Sequence, residues 1–168
     1  MTKQERFDRN FLRVAWTTAL SLSKDPMTQV GAVIVSEDSR QVSLGYNGFS
    51  AGVDEPEARW ERPEKYSWVI HAEMNAVMNT PFDTKGCTLY CTHQPCHRCM
   101  VHLVNTGIKK IVYYTPKSDE RSDISQEIAQ LFDQVYCISH DEVVENLKSF
   151  YQTNPARFVG SLEKQKNY

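Results

Sequence analysis

The chain has 168 residues, of which 40% are hydrophobic and 24% charged, with 7 Gly and 7 Pro; this is the make-up of one globular domain and excludes a fibre, a low-complexity tail or a linker array. With 19 Lys and Arg against 21 Asp and Glu the formal charge is -2, which argues against a protein that lives by gripping nucleic-acid phosphates and leaves room only for a local basic pocket. There is no apolar run of 18 residues, the start MTKQERFDRN is polar, and five cysteines (Cys87, Cys91, Cys96, Cys99, Cys137) crowd one region, so the expectation is no membrane span and a reducing cytoplasm, a host's if the source is viral.

In chain order, Phe7, Phe11, Leu12, Ala15, Trp16, Ala19 and Leu20 fall at helical spacing and predict an amphipathic helix over 5–22, broken by Lys24-Asp25-Pro26. The β-branched runs at 30–36 and 41–47 predict a hairpin. Residues 48–68 show no period and read as a structureless lid or interface loop, with Trp60, Tyr66 and Trp68 open to use there or as packing anchors. Helices are then expected at 71–79, 97–106 and 122–134, alternating with strands at 87–92, 109–114 and 135–139, which is the order of an α/β fold with crossover connections. Asp141 is placed to cap a last helix carrying Val143, Val144, Leu147, Phe150 and Tyr151, and 161–168 reads as a flexible tail on a single domain spanning 1–168.

The residues that carry chemistry are His71-Ala72-Glu73 and, after 21 intervening residues, Pro95-Cys96-His97-Arg98-Cys99. Cys96 and Cys99 lie three apart at a helix start, so their sulfurs share a face and the helix N-terminus favours the thiolates. One imidazole and two thiolates leave the fourth position of a tetrahedral zinc open, which is the mark of a catalytic site, and water there would approach a pKa of ~7. Glu73, two residues from His71, is placed to carry the proton. A closed structural knot would recruit His93, His97 or His102, but the Glu and the Pro suit the catalytic arrangement alone. Cys87, Cys91 and Cys137, on strands, read as small buried hydrophobes.

The strings SKDPMTQVGAVIV, GYNG, HAEMNA and PCHRC together resemble the deoxycytidylate (dCMP) deaminase family, over roughly residues 5 to 140. The resemblance implies a three-layer α/β/α sandwich around a five-stranded mixed sheet, one catalytic Zn²⁺ per subunit on His71, Cys96 and Cys99, and hydrolysis of dCMP to dUMP and ammonia for thymidylate synthesis. It further implies that the Ala72 N–H meets the pyrimidine carbonyl, that the Gln94 carbonyl accepts the amine and that Asn47 meets the deoxyribose. Ser23 and Lys24 are the candidates for the 5'-phosphate. A homohexamer is implied, activated by dCTP and inhibited by dTTP with Mg²⁺ at an interface site including Gly45, Tyr46, Asn47 and Gly48, where Tyr46 either stacks on the ligand or packs. Residues 48–70 hold no Cys or His, so a second zinc is not expected, and Thr92-His93-Gln94 depart from the family pattern with His93 near the pocket mouth.

The rival readings are a deaminase of cytidine or dCTP, a tRNA adenosine deaminase, for which a charge of -2 is poor support, and an inactive nucleotide-sensing fold. Neither a nucleic-acid partner nor a membrane is expected.

Overall fold

The computed structural model describes residues 1–116 and 121–139, together with 141, 142, 145, 148 and 149. Helix α1 (Lys3–Leu22) opens with a reciprocal cap, in which the Glu5 N–H donates to Thr2 Oγ1 at 3.1 Å and the Thr2 N–H donates to Glu5 Oε2 at 2.8 Å. Strands β1 (Gly31–Val35) and β2 (Val42–Tyr46) form the expected antiparallel hairpin, with Gly31 opposite Tyr46 and Val35 opposite Val42. Two short strands, β3 (Gly48–Phe49) and β4 (Val69–Ile70), pair with each other and lead into α2 (Ala72–Met78). The remaining elements are β5 (Thr88–His93), α3 (His97–Asn105), β6 (Lys110–Thr115), α4 (Ser122–Ala129) and β7 (Gln134–Cys137). The main sheet runs β2-β1-β5-β6-β7, antiparallel on either side of β1 and parallel from β5 to β7, so it is five-stranded and mixed, as expected.

Every residue of β1 is buried because both faces of the sheet are covered. Val33 and Val35 face α1 with Leu12, Ala15, Tyr90 and Val112, whereas Ala32 and Ile34 face α2 and α3 with Ala76, Leu89, Leu103 and Ile111. The result is three layers, with α1 on one face and α2, α3 and α4 contributing to the other.

Three expectations are corrected. The segment 48–68 is not structureless: it holds β3 and two 3-10 turns, Glu57–Trp60 and Glu64–Ser67, each too short to leave a period in the sequence. Of its aromatics, Trp60 is the packing anchor, buried and stacked on Phe49 at 4.2 Å, while Tyr66 and Trp68 are exposed. Helix α4 stops at Ala129 rather than near 134, because the chain turns to bury Phe132 and the Asp133 and Gln134 N–H groups donate to the Lys109 carbonyl at 2.8 and 3.3 Å. Cys87 and Cys91 lie in the core, but Cys137 is exposed on the edge strand β7. The expected apolar residues of a last helix (Val143, Val144, Leu147, Phe150, Tyr151) and the tail at 161–168 fall outside the described residues. Among the described residues no helix is long and apolar enough to cross a membrane.

Candidate active site

Helix α2 begins where β4 ends. His71 is its extended N-cap, Ala72 its first helical residue and Glu73 its second. The helix is pressed onto β2 by backbone contact: a Cβ built on Gly45 would come within 2.2 Å of the Ala72 carbonyl oxygen and 2.3 Å of the Ala76 nitrogen. Ser43 Oγ donates to the Ala76 carbonyl and Asn75 Nδ2 to the Tyr46 carbonyl, each at 2.8 Å. Glycine at 45 thus sets how deeply α2 seats, and with it where His71 and Glu73 project.

Helix α3 starts just beyond β5, with Cys96 as its N-cap and Cys99 on its first turn. Nδ1 of His71 lies 3.5 Å from Cys96 Sγ and 3.4 Å from Cys99 Sγ, and the three ligand atoms lie within 4.8 Å of one another. Tetrahedral zinc, with bonds of about 2.0 Å to nitrogen and 2.3 Å to sulfur, would hold such a pair about 3.5 Å apart, so the donor set fits that ion. A hydrogen bond from the Cys99 thiol holds Cys96 down at about 3, against its burial, and the same bond together with burial pushes Cys99 well up. Glu73 is only 4% exposed, and its charge adds to the burial that raises Cys91.

These groups line one side of a cavity of about 190 Å³, to which His71, Ala72, Glu73 and Cys96 all contribute. His93 and Gln94, at the end of β5, form an adjoining wall, and the Gln94 N–H donates to the Thr115 carbonyl at 2.9 Å. Thr28, Val30 and Asn47 form another, and Arg62, Lys65, Tyr66 and Val69 come from the segment before α2. Asn47 is buried with its amide fully used: Nδ2 donates to Asp25 Oδ2 at 3.1 Å and to the Thr28 carbonyl at 2.9 Å, while Oδ1 accepts from the Val30 N–H at 2.7 Å and Ser23 Oγ at 2.8 Å.

Of the residues singled out in the sequence, His71, Cys96 and Cys99 come together, and Ala72, Glu73, Gln94 and Asn47 share their cavity. Ser23 is buried behind Asn47. Lys24 points away from the cavity lining, 72% exposed and 3.1 Å from Glu55. Gly45 is covered by α2, which leaves no space for a ligand on that face, and a Cβ built on Gly48 would lie 3.6 Å from the Tyr46 ring. Nothing in the sequence marks Arg62 or Lys65, since a charged residue in a polar loop reads as solvated, whereas Tyr66 belongs to the aromatics expected either at work in that loop or as packing anchors. The cis peptide bond between Arg62 and Pro63 sits in the same segment.

The description "cytidine and deoxycytidylate deaminase zinc-binding region" belongs to a family model that matches residues 5–115. A probable deoxycytidylate deaminase of Caenorhabditis elegans is 48% identical over 117 residues, which are 67% of this chain and 58% of that protein. The deoxycytidylate deaminase of Pongo abelii is 38% identical over 130 residues, 73% of this chain and 72% of that protein. Among solved structures, the dCMP deaminase of the cyanophage S-TIM5 in complex with dCMP and dUMP superposes with a TM-score of 0.65 at 25% identity, covering 82% of this chain and 99% of that one.

Proposed function

The chain belongs to the cytidine and deoxycytidylate deaminase family, and from that premise we propose that it hydrolyses dCMP to dUMP and ammonia, supplying dUMP for thymidylate synthesis. The observation that carries the reading is the buried Glu73 carboxylate on the same cavity as the His71, Cys96 and Cys99 cluster. The names of the relatives support the choice of dCMP.

Zinc held by His71 Nδ1 and the two cysteine sulfurs would supply a Lewis acid that makes water a nucleophile near pH 7. Glu73 accepts one proton of the attacking water and delivers it to the ring nitrogen next to the amino-bearing carbon, then takes the remaining hydroxyl proton and passes it to the departing amine. The C–O bond forms first, with the ring C=N pair moving to the protonated nitrogen; the exocyclic C–N bond then breaks as the carbonyl forms, and ammonia leaves. The Ala72 N–H, at the first position of α2, is offered to the pyrimidine carbonyl. The Gln94 backbone carbonyl accepts from the amine. Asn47 is retained for the deoxyribose, whose hydroxyl would replace one protein partner of its amide. For the 5'-phosphate, Arg62 is the better candidate than Ser23 or Lys24: it lines the cavity, and among the described residues no ion pair neutralises it, whereas Lys24 is paired with Glu55.

Regulation is part of the same proposal: a homohexamer in the cytoplasm, activated by dCTP and inhibited by dTTP with Mg²⁺. Tyr46, Asn47 and Gly48 are carried over for the effector, with Gly45 acting through its packing on α2.

Ammonia release from dCMP, deoxycytidine, dCTP and cytidine, measured side by side with and without dCTP and dTTP, tests the proposal. dCMP should lead. Glu73→Gln should keep zinc and fold while losing about 10³-fold or more in kcat. Preference for the free nucleoside, or turnover surviving in Glu73→Gln, would overturn the reading.

A further inference from the structure

The cavity wall contains an ion pair, Lys65 with Asp25, that the proton chemistry at Glu73 does not use. Lys65 Nζ sits 2.8 Å from Oδ2 and 3.1 Å from Oδ1 of Asp25, with side-chain exposures of 5% and 1%. The desolvation of two charges offsets most of what such a pair gains, so stability alone is a weak reason for it.

Its connections supply another. Lys65 lies in the second 3-10 turn of the segment that also brings Arg62 and Tyr66 to the cavity. Asp25 Oδ1 also accepts from the Met27 and Thr28 N–H groups at 2.9 and 3.0 Å, which curls residues 25–28 around the carboxylate. Its Oδ2 accepts from Asn47 Nδ2. Three stretches of chain, distant in sequence, therefore meet at one carboxylate, and each carries part of the cavity wall: Thr28 and Val30, Asn47, and Arg62 with Tyr66.

Because Lys65 is neutralised by Asp25, it brings no net charge to a phosphate. Its effect is exerted through what it holds. We propose that Lys65 and Asp25 are positioning residues for the sugar and phosphate end of the substrate, clamping residues 48–70 against residues 23–30 so that Arg62, Tyr66 and Asn47 face the nucleotide. This rests on the nucleotide-deaminase reading of the site and deepens it.

The test compares Lys65→Met, Lys65→Arg, Asp25→Asn and the double variant Asp25→Asn/Lys65→Met in the full chain. Each neutralising single variant strands a buried charge or polar partner and should melt earlier, whereas the double variant removes both charges and should recover much of the melting temperature. The KM for dCMP should nevertheless stay raised about tenfold in the double variant, with kcat at saturation within about twofold of wild type. Lys65→Arg should bring KM back to within about threefold. Amide hydrogen exchange over residues 48–70 should be faster in the double variant while exchange in β5 is unchanged. If KM returns to wild type along with the melting temperature, or if exchange over 48–70 does not change, the clamp is merely structural and the proposal is overturned. A wild-type protein inactive on dCMP overturns the assigned substrate instead, and the exchange measurement then decides the clamp by itself. Should the single variants fail to fold, the double variant and Lys65→Arg still discriminate.

Discussion

Buried Asp8 of α1 and half-buried Lys110 at the start of β6, far apart in sequence, form an ion pair on the face of the sheet opposite the cavity, with Lys110 Nζ 3.0 Å from Asp8 Oδ1. The same carboxylate accepts from Tyr90 Oη at 2.8 Å, from Gln4 Nε2 at 2.9 Å and from the Tyr136 hydroxyl. Helix α1 is thus tied to three strands through one charged group. Asp8→Asn leaves Lys110 uncompensated, and should cost about 3 kcal/mol, or roughly 6–12 °C in melting temperature for a domain of this size, measured by calorimetry on protein with unchanged zinc content.

Asp8 and Asp25 also predict how stability depends on pH. Burial raises each carboxyl, but the hydrogen bonds they accept, from Tyr136, Tyr90 and Lys110 in one case and from Lys65, Met27 and Thr28 in the other, bring both below the ordinary 3.8. A depressed carboxyl stabilises the fold fully above its unfolded value, and that contribution is lost as pH falls through the folded value. Denaturant midpoints should therefore be insensitive to these groups from pH 7 down to about 5 and fall steeply below about 4. Asp8→Asn and Asp25→Asn should each flatten the acid limb.

Gly45→Ala should be more damaging than a glycine-to-alanine change in a strand ordinarily is. The added methyl meets backbone atoms of α2, which have no rotamer by which to yield, so α2 must lift. A loss of about 2 kcal/mol or more is expected, together with weaker zinc retention, since His71 and Glu73 ride on that helix. Zinc content after dialysis against a mild chelator measures the second effect.

Purified protein should carry about one zinc per chain, and removal of the metal should abolish turnover and lower the melting temperature, both restored by adding zinc back. Retention should weaken on acidification, because protons compete for His71 and the cysteine sulfurs. Full activity in metal-free protein, checked by elemental analysis, would exclude the assignment.

Arg62→Ala should raise the KM for dCMP by about tenfold or more and leave the rate on deoxycytidine within about twofold, the signature of a lost charge-assisted contact to phosphate. Lys24→Ala should change neither, since that lysine is exposed and engaged by Glu55. The reverse pattern would return the phosphate to the Ser23-Lys24 segment.

The elements built on periodicity were legible before the structure. Helix α1, the β1–β2 hairpin and the alternation from α2 to β7 follow from the spacing of Leu12, Ala15 and Ala19 and from the Val30–Val35 run. The metal cluster was legible too, because each of its ligands sits at a helix start and the spacing of Cys96 and Cys99 survives any detail of packing. What could not be read was the wall opposite Glu73. Lys65 is buried only because Asp25, 40 residues away, neutralises it, and nothing local distinguishes it from the exposed Lys24. Asn47 posed a similar difficulty, since its amide is saturated by partners from four other residues.

The cavity therefore has two kinds of wall. On the side of α2, backbone presses on backbone at Gly45, and the position of the chemistry admits little adjustment. On the other side, short turns are gathered around the buried charged contact between Lys65 and Asp25. Libraries aimed at 61–69 would accordingly redirect which cytosine derivative is accepted while keeping the reaction. The same effort spent on 43–45 or 72–76 would yield mostly protein that no longer assembles its metal ligands, so evolvability in this molecule is confined to one rim.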